Sequence, residues 1–114
     1  TNVDVLRALT PTWDSIEIKA GVAALTGATE PGVPALEVRA FFHAGGTRED
    51  PVTGSLNGSL GQWLLGNGTL VAPYIASQGV SMGRNGRVYV SQADDGGVWI
   101  GGDAVTGVNG TVAL

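Results

Sequence analysis

Thr47–Leu65 reads TREDPVTGSLNGSLGQWLL, and how this stretch is read decides the fold. Two adjacent acids and a proline make a turn. Beyond it Leu56, Leu60, Trp63 and Leu64 recur at helical spacing until Gly66-Asn67-Gly68 stops the pattern. The spacing predicts one good helix, entered through a polar, glycine-containing turn, with Trp63 on its buried stripe.

Working outward, ALEVRAFF alternates Leu36, Val38, Ala40 and Phe42 against Glu37, Arg39 and Phe41, which predicts a strand. Lys19 to Leu25 reads as another, with an earlier start open because Ile16, Ile18, Ala20 and Val22 also alternate. Ahead of it Leu6, Leu9, Trp13 and Ile16 are spaced as in one or two short helices, and Thr10-Pro11 offers a start signal. Downstream of the central helix everything reads as strand: Leu70 to Ser77, Arg87 to Gln92, Val98 to Ile100 and Thr111 to Leu114. Asp95-Gly96 and Asn109-Gly110 read as hairpin turns. Pro73 lacks a ladder donor, so its strand is expected at an edge or interrupted there. The expected class is α+β, a β-rich mixed sheet around one central helix.

The totals narrow the function. With 114 residues the chain fits one domain. A formal charge of -4 without a basic cluster argues against nucleic acid. No cysteine removes disulfides and thiol chemistry, and the single His43 leaves little for a metal site, so none is expected. His43 is expected as a strand-end residue. No apolar run approaches the roughly 20 residues of a membrane span. A soluble, cytoplasmic protein is the expectation.

A helix N-terminus leaves N–H groups unpaired and carries partial positive charge, so it can hold a small carboxylate. Thr53 is the expected N-cap, Gly54 lets an anion approach the main chain, and Ser55 adds a hydroxyl. Asp50 would accept from a substrate amine or hydroxyl. From spacing alone, a turn and a cap with nothing bound are the simpler explanation of the same residues. Adjacent residues point apart, so Glu49 is expected in solvent or in a salt bridge rather than sharing chemistry with Asp50. The glycines of GVSMGRNGR do not fit a nucleotide loop, and Met82 and Arg84 are expected to pack and pair structurally. Asn57, Asn67 and Asn109 begin formal glycosylation triplets that turn chemistry or chance explains.

The order RAFFHAGGTREDPVTGSLNGSLGQWLL, YIASQGVSMGRNGRVYV and GVWIGGDAVTGVNGTV resembles the C-terminal part of the PhzF-type phenazine-biosynthesis family, from about Val38 onward. That family has the diaminopimelate-epimerase-like fold. The resemblance implies a cofactor-independent isomerase that moves a proton on a small carboxylic acid held between two similar domains. Its EDPxTGS motif puts catalytic roles on Asp50 and Ser55, and substrate binding on Gly54 and Ser55. The family's proton-shuttling glutamate belongs to an N-terminal motif that no segment here resembles. Residues 1–114 are therefore expected to be one incomplete C-terminal domain, inactive alone, whose partner is a missing N-terminal half or a second copy. The alternative is a non-catalytic homodimer or small-acid binding module.

Overall fold

The computed structural model describes residues 2–12 and 19–114. Helix α1 spans Val3–Ala8, entered at Asn2, whose side chain accepts from Val5 N at 2.8 Å. Residues 9–12 have no regular structure, so no helix begins at Thr10-Pro11; the placements expected for Trp13, Ile16 and Ile18 lie outside the described residues. Strand β1 is Lys19–Leu25 and β2 is Leu36–His43. After them come β3 (Thr47–Asp50), α2 (Gly54–Gly66), β4 (Tyr74–Gln78), β5 (Gly86–Gln92) and β6 (Val98–Gly101). The class is α+β with one mixed sheet of six strands, ordered β1-β2-β4-β5-β6, with β3 also on β2.

Strand β2 organises the molecule. One side pairs antiparallel with β1 along its length. The other side is shared: β4 runs parallel to Leu36–Val38, and β3 runs antiparallel to Ala40–His43. Because β3 and β4 have opposite directions along one side of β2, their C-terminal ends, Asp50 and Gln78, meet head-on opposite Val38 and Ala40. Gly79 makes that meeting possible. It has φ +85°, and a Cβ there would stand 2.8 Å from the carbonyl oxygen of Pro51.

Strand β2 has helices over both faces, which explains why Glu37 and Arg39 are as buried as Leu36 and Val38. On one face α2 packs Leu56, Leu60 and Leu64 against Val38, Tyr74, Ala76, Val88 and Val90. A Cβ on Gly21 of β1 would collide with the Leu56 side chain, so that glycine lets the first turn of α2 settle onto the sheet. On the other face Arg39 donates to Leu6 O, Arg7 O and Leu9 O, closing the C-terminal end of α1. The Arg39 and Arg7 guanidiniums form two-bond pairs with Glu49 and Glu37, which raise both above their ordinary values. Glu49 thus holds the salt bridge expected as one of its two outcomes.

Several expectations change. Trp63 is 64% exposed: the buried arc of α2 centres on Asn57, Gly61 and Leu64, and Trp63 lies about 120° round the helix from Asn57. Residues 47–50 pair with β2 as a strand instead of turning. Strand β4 starts only after Pro73, the interruption that was one of the two outcomes expected there, and lies inside the sheet rather than at an edge. Thr111–Leu114 forms no strand, because residues 102–114 meet no partner ladder and stay exposed, and Asn109-Gly110 consequently makes no hairpin. Asp95-Gly96 does turn the β5–β6 hairpin, with Ala93 N donating to Gly97 O at 2.8 Å. Met82 is exposed, and Arg84 makes no side-chain bond among the described residues. No helix is long and apolar enough to cross a membrane among the described residues.

Candidate functional site

The meeting point of β3 and β4 is also where α2 begins, so three chain segments deliver polar groups to one place. Gln78 is fully buried there and uses its amide completely. Its Oε1 accepts from Thr53 N at 3.1 Å and from Asn57 Nδ2 at 2.8 Å. Its Nε2 donates to Asp50 O at 2.9 Å and to Thr53 Oγ1 at 3.0 Å. One side chain therefore ties the end of β3 to the mouth of α2. Asn57 adds a bond from Nδ2 to Thr53 O at 2.9 Å, and its Oδ1 is buried without a partner among the described residues. Its side chain is closed to glycosylation by burial.

Thr53 occupies the N-cap position, as expected, but its hydroxyl does not cap the helix. It donates to Asp50 Oδ2 at 2.7 Å. The direction follows from Gln78: with Nε2 donating into Oγ1, the one hydroxyl proton is left for the carboxylate. Asp50 is thereby held by one oxygen, with Oδ1 uncommitted among the described residues. The first N–H groups of α2 have no intrahelical acceptor, and Ser55 uses its carbonyl, which accepts from Ser59 Oγ at 3.1 Å, while its hydroxyl has no partner among the described residues.

Asp50, Thr53 and Ser55 line a single open groove of about 580 Å³, floored by Ala40, Phe41 and Phe42 of β2 and bounded by Lys19 to Gly21 of β1 and by Leu56 and Ser59 of α2. Gly54 stands at the first helical position with nothing within 4 Å of where a Cβ would point. That open space is compatible with a ligand approaching the main chain. Asp50 and Glu49 face opposite sides of the sheet, since Asp50 pairs with Ala40 and Glu49 with Phe41, which rules out shared catalysis by the two.

His43 ends β2, half-buried, with Nδ1 enclosed and unpaired among the described residues, and it is not on the groove. Among the described residues no group of three or more His, Asp or Glu side chains could hold a metal ion. The sequence alone did not single out Gln78 or Lys19. Gln78 precedes a glycine in an otherwise ordinary strand, and only the pairing of β3 and β4 with β2 brings it 25 positions back to Thr53. Lys19 reaches the groove through the β1–β2 register, which no local pattern encodes.

No curated protein matches the chain. The family model described as phenazine biosynthesis-like protein, PhzC-PhzF, matches residues 2–110, reaching well ahead of Val38, and the chain belongs to that family.

Proposed function

We propose that this chain supplies one half of the active site of a cofactor-independent isomerase that moves a proton on a small carboxylic acid. Family membership points to isomerase-type chemistry. The observation that carries the reading is the joint placement of an anchored Asp50 carboxylate, a free Ser55 hydroxyl and the open N-terminus of α2 on one groove. In this reading the amide groups of Gly54 and Ser55 and the Ser55 hydroxyl hold the substrate carboxylate. Asp50 Oδ1 accepts from the substrate's amine or hydroxyl and fixes its orientation.

Asp50 is the only acid lining the groove among the described residues, so a second group must complete a proton transfer between two positions of the substrate. We assign it to an N-terminal half, with residues 1–114 as an incomplete C-terminal domain. General acid–base catalysis contributes about 10²- to 10⁴-fold, enough for its absence to silence the reaction.

The test is solvent-deuterium incorporation into a small carboxylic acid, followed by proton NMR, with the chain alone and after addition of a PhzF-type N-terminal half. The expected outcome is incorporation only in the mixture, abolished by Asp50→Ala. Incorporation by the chain alone would overturn the half-site. Acid-induced shifts of the Gly54–Leu56 amides without incorporation in either sample would leave a binding module instead.

A further inference from the structure

The pairing of β1, β2 and β3 sets two rows of residues on the face that carries α2. One row is Gly21–Ala40–Asp50, beneath the first turn of α2. The next is Lys19–Phe42–Arg48. Residues two apart along a strand point to the same face about 7 Å apart. The second row therefore holds a lysine and an arginine on either side of an aromatic ring, one step along the groove from Asp50.

Lys19 and Phe42 line the groove, and Arg48, exposed and outside its lining, is the β3 residue paired with Phe42. The pair differs from the other cations near the middle of the sheet. Arg7 and Arg39 are each matched by a glutamate on the opposite face. Lys19 and Arg48 have no ion pair or side-chain hydrogen bond among the described residues, and Glu49, between Arg48 and Asp50 in sequence, is turned away into its bond with Arg39. On a chain of formal charge -4, two positive charges without a matching acid among the described residues flank Phe42 on the face that carries α2.

We infer that Lys19 and Arg48 form a second anion subsite one row along the sheet from Asp50, so that the acid taken by this groove is a dicarboxylate. This rests on the reading of the groove as an acid site. The first carboxylate lies at Gly54 and Ser55, the second between the ammonium and the guanidinium, and the intervening carbons lie over Phe42. Arg48 offers the planar fork that matches a carboxylate, and Lys19 a mobile point charge opposite it.

Adipate and hexanoate have the same number of carbons and differ by one carboxylate, so they separate the two subsites. Each is titrated into the 114-residue chain, following the Gly54–Leu56 and Phe42 amides by NMR. Adipate is expected to bind about five- to tenfold more tightly than hexanoate, the range open to two solvent-exposed cations, and the advantage shrinks in high salt. In Lys19→Gln/Arg48→Gln the advantage disappears. If hexanoate shifts the Gly54–Leu56 amides as strongly as adipate, the second subsite is overturned and the acid site stands. An adipate advantage that survives the double substitution overturns the assignment to Lys19 and Arg48. If neither acid shifts those amides, the acid site fails and the inference fails with it.

Discussion

Thr53 has one hydroxyl proton, and Gln78 decides where it goes. By donating into Thr53 Oγ1, Gln78 leaves Asp50 as the acceptor, so a fully buried amide sets the orientation of a carboxylate that it reaches only through its main chain. Thr53→Val keeps the shape and removes the proton; it strips Asp50 Oδ2 of its donor and Gln78 Nε2 of one acceptor. The expected cost is about 1–2 kcal/mol in urea unfolding, with weaker binding of small carboxylic acids at the Gly54–Leu56 amides. Thr53→Ser, which restores the hydroxyl, should recover most of both. Sequence reading placed Thr53 correctly at the N-cap and Asp50 and Ser55 beside it, because caps and turns obey local rules. It misread the destination of the hydroxyl, because Gln78 arrives from another strand.

The same contrast holds for whole elements. Strand β2 and helix α2 were legible because their periodicities are long and strong. Strand β3 was not: four residues become a strand only by pairing with β2 after the tight turn at Gly45 and Gly46, both with positive φ. Nor was the docking of α1, which depends on Arg39 reaching three carbonyls 30 to 33 positions away as well as Glu49. Arg39→Met would leave Glu49 enclosed without a partner and those carbonyls unmatched. Breaking a buried pair in this way costs about 3–5 kcal/mol. Hydrogen exchange should show the Leu6 and Leu9 amides, which donate to Asn2 O and Leu6 O, opening well beyond the change in global stability. Arg39→Lys should recover less than half of the loss, because an ammonium cannot present the fork to Glu49 and also reach the end of α1. Equal stability of the lysine variant and the wild type would refute the bracing role.

For the whole molecule, α1 over one face and α2 over the other leave Trp63 on the outer side of α2 and Trp99 on an uncovered stretch of sheet, both largely exposed. Along β6 Trp99 alternates with the half-buried Val98 and Ile100, whereas the placement of Trp63 depended on which part of the stripe the sheet selects. The counterpart inside is Tyr74, buried where α2 crosses β4, its hydroxyl 3.7 Å from the position of a Cβ on Gly61. Burial pushes the phenol above its ordinary value, since the phenolate would lose its water. The folded chain therefore holds that proton more tightly than the unfolded chain, whose tyrosines titrate near about 10. Stability from the neutral phenol is fully present below about pH 10 and is lost as the pH rises from there through the folded value. Tyr74→Phe cannot ionise and removes this contribution to alkaline unfolding. Urea midpoints measured from about pH 8 to 11 should fall more steeply in the wild type than in the variant above about pH 10, and run parallel below it. Parallel curves across the whole range would show that Tyr74 ionises as freely in the folded chain as in the unfolded one, contradicting its placement between helix and sheet.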